Sequence, residues 1–200
     1  MKSFNQLLSE VSSKSVVFTF GRLNPPSVGH AKLIQKVIDT AKSNHAVSMI
    51  FLSRTEDNKK NPLSFASKLR YLRKCFKDVK FIDDQNVKSP FHAMKYLSDH
   101  GYKTVTLVAG SDRVKEYDER IRPYINHQDK SKSFEVDHFS VVSAGERDPD
   151  AEGDSGASGT KMREFAKNDD FDSFLKNSPS CASEKDVKMV FKEIQQKIKK

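Results

Sequence analysis

The chain has 200 residues, 36% of them hydrophobic and 31% charged, with a formal net charge of +8 and no tryptophan. That balance excludes a disordered or collagen-like chain and fits one domain with a sizeable core, a second being cramped. No apolar run approaches the roughly 18 to 20 residues that a membrane span needs, and the basic excess points to an anionic partner, either a nucleotide phosphate or a polynucleotide.

Residues 3–11 read as a short amphipathic helix with Phe4, Leu7, Leu8 and Val11 on one face. The first fifteen residues lack the apolar core and cleavage site of a secretory signal, so a cytoplasmic location is expected. Cys75 and Cys181 have neither metal-ligand spacing nor the pattern of a disulfide framework, and reduced thiols are expected. "SVVFTF" (15–20) is a continuous apolar run ended by Gly21, which predicts a strand buried on both faces of a parallel sheet. After the turn "GRLNPPSVGH", the residues Leu33, Ile34, Val37, Ile38 and Ala41 form one stripe of a helix. "AVSMIFLS" (46–53) predicts a second strand and 62–76 a second helix opened by Pro62. Strand, helix and strand repeat at 79–83, 89–101 and 103–110. A helix follows until Pro123, then a last strand at 133–143, a polar glycine-rich loop at 144–159, and helices after 160, at 169–179 and at 184–200.

Strands alternating with helices predict an α/β fold, a Rossmann-like doubly wound parallel sheet with C-terminal helices. The expected division is an N-terminal segment 1–14, a main domain 15–168 and a helical extension 169–200. In such a sheet, ligands bind beyond the carboxyl ends of the strands. Two motifs fall there. Gly21, Asn24 and Gly29 belong to the turn after the first strand, which brings His30 to the amino end of a helix, where unpaired N–H groups and the helix dipole attract phosphate. "SGTKMR", with Ser158, Thr160 and Arg163, offers hydroxyls and amides at another helix start. Arg22, His30 and Arg163 are therefore expected to converge on one polyphosphate.

These residues carry a resemblance. "GRLNPPSVGH" resembles the (H/T)xGH signature of the nucleotidylyltransferase superfamily, with Ser27 at its first position, and Ser158, Thr160 and Arg163 match that superfamily's SxTxxR signature. The arginine after Gly21 and the paired prolines are similar to the turns of nicotinamide mononucleotide adenylyltransferases. "VAGSDRV" resembles the segment that such enzymes place beside the acceptor, which singles out Gly110 and Asp112. Longer stretches resemble the cytidylyltransferase-like proteins of large tailed bacteriophages, and "MKSFNQLLSE" resembles the capsid-targeting peptides of phage head proteins, with a Leu-x-Glu cleavage site at Leu8 to Glu10. A packaged virion protein is the corresponding expectation.

The resemblance implies transfer of a nucleoside monophosphate from a nucleoside triphosphate to a phosphorylated acceptor. ATP is the first choice and CTP the second; nicotinamide mononucleotide is the first acceptor, with a phospho-sugar or phospho-alcohol as the alternative. It implies His30, Arg22, Arg163 and Ser27 as the catalytic set; Gly21, Asn24, Gly29, Ser158 and Thr160 as nucleotide contacts; Gly110 and Asp112 as acceptor contacts. Mg2+ would be held by phosphate oxygens rather than by protein carboxylates. A second class of function is a nucleotide-binding or DNA-associated protein without turnover. His45, His92, His100, His127 and His138 have no partner spacing, and the lysine-rich terminal helix reads as a solvated face before it reads as a nucleic-acid contact. The acidic stretch 146–154 reads as a solvated connection or as a cover over the acceptor.

Overall fold

In the computed structural model, residues 14–145 and 158–198 are described. The expected helix at 3–11, the Leu8 to Glu10 site and the acidic stretch 146–154 lie outside them. Strand β1 (Lys14–Gly21) leads into helix α1 (Val28–Ser43), β2 (Val47–Leu52) into α2 (Phe65–Cys75), β3 (Lys80–Ile82) into α3 (Pro90–Asp99), and β4 (Tyr102–Ala109) into α4 (Ser111–Ile121). A 3-10 turn (Arg122–Tyr124), β5 (His138–Ser143), α5 (Gly159–Lys167), α6 (Phe171–Lys176) and α7 (Glu184–Ile198) complete the order.

The five strands form one sheet in the order β3-β2-β1-β4-β5, every pairing parallel. β1 is central, with Phe18 in register with Met49 on one side and Leu107 on the other. Its continuous apolar run is explained by burial on both faces: Val17 joins a core with Ile34, Val37 and Ile38 of α1, and Val16 and Phe18 join the opposite core with Met94 and Leu97 of α3. Helices α5, α6 and α7 pack through Met162, Ala166, Phe174, Val187, Phe191 and Ile194 into the same core as α1 and α2. Among the described residues no helix is long and apolar enough to cross a membrane.

Three expectations are corrected. Helix α2 starts at Phe65, with the Ser64 hydroxyl accepting from the Ser67 N–H, and not at Pro62. The reason is tertiary, because the N–H and C=O of Leu63 are both bonded to Asn24 and hold that residue out of the helix. The last strand is shorter than 133–143: the Glu135 N–H donates to Ser98 Oγ and the Asp137 N–H to the Lys103 carbonyl, so the chain joins the β4 ladder only at His138. The cysteines are not free thiols. Cys75 at the end of α2 and Cys181 before α7 form a disulfide with Cα atoms 5.0 Å apart, a separation suited to a bridge. They are 106 positions apart in sequence, so only the docking of the C-terminal segment on α2 reveals the pair.

Candidate active site

The chain fills the sheet on one side of β1 with β2 and β3, then crosses to the other side with β4 and β5. The reversal between β1 and β4 opens a crevice beyond their carboxyl ends, as the topology of a doubly wound sheet requires. A cavity of about 500 Å³ lies there. It is lined by Gly21, Arg22, Asn24, Ser27, Gly29 and His30 after β1, by Gly110 and Asp112 after β4, and by Ser158, Thr160 and Arg163 at the start of α5. All the residues singled out from the sequence therefore reach one space.

The turn after β1 is held from several directions. Leu23 has a φ of 44°, an unfavourable region for a residue with a side chain, but its side chain is fully buried in the core. The Asn24 side chain donates from Nδ2 to the Leu63 carbonyl (2.8 Å) and accepts from the Leu63 N–H at Oδ1 (2.9 Å). Both ends of that amide are engaged within the protein, so Asn24 braces the turn with its side chain. Its carbonyl accepts from Arg163 Nη1 at 2.8 Å. Ser27 is buried at the N-cap of α1, and its N–H donates to His30 Nδ1 (3.2 Å) while its Oγ lies 2.9 Å from the same nitrogen. An imidazole that accepts at Nδ1 carries its proton on Nε2, so the neutral ring is set as a donor. The His30 backbone N–H is bonded to the Ser27 side chain, and the Val28 N–H donates to the Asn177 carbonyl (3.0 Å). Gly29, between Val28 and His30 in the first turn of α1, lines the cavity.

Arg163 is half-buried and also donates from Nη2 to Thr160 Oγ1 (3.0 Å). Burial and the neighbouring positive charge of Arg22 both push its pKa below the usual arginine value. Two neighbouring guanidinium groups repel each other, and an anion placed between them offsets that repulsion. Gly159 sits in a close approach: a Cβ there would stand 3.3 Å from the Asn24 carbonyl oxygen and 3.4 Å from Arg163 Nη1, tighter than most side-chain contacts. Ser158 caps α5 by accepting from the Lys161 N–H at 3.2 Å. At the other end, Gly110 is the N-cap of α4, and a Cβ there would meet Asp112 Oδ1 at 2.6 Å.

Sequence reading missed several contributors. Lys60 lines the cavity from the segment after β2, where Asp57 Oδ1 accepts from the N–H groups of Lys59 (2.9 Å), Lys60 (2.5 Å) and Asn61 (3.3 Å). The Lys60 N–H foremost, then the Asn61 side-chain amide that donates to Oδ2, lower the Asp57 pKa to about 2. Arg113, Glu116, Tyr117 and Arg120 line it from α4, and the four-residue steps from Asp112 to Glu116 and Arg120 are the signal the sequence offered. Among the described residues no three histidine, cysteine or carboxylate side chains gather as a metal site.

No protein-family model matches the chain, and no curated protein matches it. Solved structures do. The nicotinic acid mononucleotide adenylyltransferase of Plasmodium falciparum complexed with NaAD matches with a TM-score of 0.58 at 12% identity, over 92% of this chain and 95% of that one. The chain has the nucleotidylyltransferase fold. The same Plasmodium enzyme complexed with APC gives 0.55 at 13% identity, over 92% and 95% of the two chains. TmcAL of Thermotoga maritima bound with alpha-thio ATP gives 0.56 at 10% identity, over 91% of this chain and 56% of that one. Within the nucleotidylyltransferase fold, the cavity described above is at the sheet's topological switch point.

Proposed function

We propose that the protein is a nucleotidylyltransferase that moves a nucleoside monophosphate from ATP to a small phosphorylated acceptor. Nicotinamide mononucleotide or its nicotinate analogue is the first acceptor to test, because one structural neighbour is complexed with NaAD. The observation that carries the reading is the meeting of Arg22, His30 and Arg163 in one cavity at the switch point of this fold.

An acceptor phosphate oxygen attacks the α-phosphorus of the nucleotide, the bond from that phosphorus to the bridging oxygen breaks, and pyrophosphate leaves. Little proton transfer is needed, so positioning and charge stabilisation carry the rate. His30 donates from Nε2 to a phosphate oxygen as charge builds, Arg22 and Arg163 hold the phosphates, and Gly29 contributes a backbone N–H. Ser27 orients the His30 ring. Gly110 and Asp112 face the acceptor. The groups at the phosphate end are cations and hydrogen-bond donors, which suits phosphate oxygens; Mg2+ carried on the nucleotide would be held by those oxygens and would neutralise part of their charge.

The test is pyrophosphate release with Mg2+, offering ATP and CTP against nicotinamide mononucleotide, nicotinate mononucleotide and a panel of phospho-sugars and phospho-alcohols. Release with one ATP pair is the expected result. Release only with CTP assigns a cytidylyltransferase. Silence throughout, with nucleotide bound, replaces the enzyme by a nucleotide-binding protein.

A further inference from the structure

Lys68 has no part in the cavity lining, yet it is 0% exposed. It lies on the apolar stripe of α2 among Phe65, Leu69 and Leu72, where a lysine is normally excluded. Its Nζ donates to the Ser53 carbonyl (2.6 Å) and to the Arg22 carbonyl (3.1 Å). These are the first residues beyond the ends of β2 and β1, and the last bond between the two segments is the Ser53 N–H to the Gly21 carbonyl at 2.8 Å. The ammonium group thus closes the ladder where the two strands separate, and it does so through the backbone of the residue whose guanidinium enters the site.

We propose that Lys68 is a positioning residue, a buried cation that fixes the Arg22 backbone and so aims Arg22 at the nucleotide phosphates. The proposal rests on the nucleotide reading of the cavity. Two carbonyl dipoles converge on one ammonium, and charge-assisted bonds of this kind are stronger and more directional than neutral ones. Burial is the main reason that the Lys68 pKa falls to about 8; Glu56 opposes the fall and Arg54 adds to it, both from the segment joining β2 to α2. Other charges near this segment are Glu193 of α7, which accepts from the Ser64 N–H, Asp57, which accepts from the Lys59, Lys60 and Asn61 N–H groups, and Arg22 and Lys60, which line the cavity.

The consequence is a pair of opposite pH effects. Above about pH 8 the folded protein holds Lys68 neutral while the unfolded chain, with the ordinary lysine value of 10.5, still binds the proton. Stability therefore rises with pH between about 8 and 10 through this group. Nucleotide affinity falls over the same range, because the charge that fixes Arg22 is lost.

The experiment measures ATP affinity by calorimetry and stability by urea unfolding from pH 7 to 9.5, on the full chain and on Lys68→Met. The expected wild-type result is a loss of about tenfold in affinity centred near pH 8, with stability rising. Lys68→Met should bind ATP about tenfold more weakly at pH 7 and show no such limb. A Lys68→Met protein that binds like wild type and keeps the limb overturns the proposal. Should that variant fail to fold, the wild type decides: a flat affinity profile overturns it, and a falling one with rising stability supports it. A folded wild type that binds neither ATP, CTP nor inorganic tripolyphosphate removes the nucleotide reading itself, and the role of Lys68 with it.

Discussion

At the end of the cavity built from β1, α1 and α5, local caps are tied together by bonds to partners remote in sequence, whereas along α4 the charged side chains are exposed and bonded to near neighbours. Asn24 is fixed to Leu63 across 39 positions and Arg163 to Asn24 across 139. Arg120, by contrast, pairs with Glu116 one helical turn away at 2.9 Å, and both are exposed, as are Asp112 and Arg113. The first end is preorganised, so a ligand there meets groups whose freedom was already lost on folding. The second is a helix face whose side chains can change without disturbing a core. A substitution at the first end should thus affect fold and ligand together, and one at the second should affect only the acceptor.

His30→Ala should have the largest effect, a loss of two or more orders of magnitude in turnover, on the scale of one strong transition-state donor. Pyrophosphate release measures it, and an unchanged rate removes the ring from the mechanism. Next is Cys181→Ser. The bridge anchors the segment whose Asn177 carbonyl caps α1, and its loss should cost about 2 to 4 kcal/mol, seen as a lower Tm in non-reducing calorimetry. A reductant should shift wild type equally and leave the variant unmoved; equal melting of both proteins without reductant shows that the bridge does not support this end.

Asn24→Ala leaves the buried Leu63 N–H and C=O without their partner and should cost about 2 kcal/mol, a fall of roughly 4 to 8 °C in Tm, together with weaker nucleotide binding. Asp112→Ala is the counterpart at the other end. Its KM for the acceptor should rise about tenfold, one hydrogen-bonded charge being lost, with nucleotide affinity unchanged and Tm within about 2 °C. A Tm drop as large as that of Asn24→Ala would erase the distinction between the two ends. The smallest effect is expected at Asp57. Its carboxyl pKa is depressed, so its contribution is present above the ordinary value of 3.8 and is lost as pH falls towards about 2. Asp57 is exposed, so Asp57→Ala, which removes the acceptor of the Lys59, Lys60 and Asn61 N–H groups, should cost little stability but should raise the nucleotide KM about two- to threefold as Lys60 loses its fixed position.

The parts of the site legible in the sequence share one property, that local chemistry announces them. Gly21, the paired prolines and His30 mark a strand leaving through a turn into a helix, and Ser158, Thr160 and Arg163 mark a helix cap with a cation one turn in. Asn24 and Lys68 announce nothing locally. The only trace of Lys68 was a charge on an apolar stripe, and Asn24, expected as a nucleotide contact, gave no sign of its side-chain bonds to Leu63.

The sequence by itself determined the alternation of strands and helices, the burial of β1 on both faces and the position of both motifs at strand ends, because period and turn chemistry act over a few residues. Tertiary structure alone decided which groups face ligand and which serve as braces, where α2 and β5 begin, and that Cys75 meets Cys181. Each of those depends on contacts between segments tens of residues apart, which no local pattern encodes.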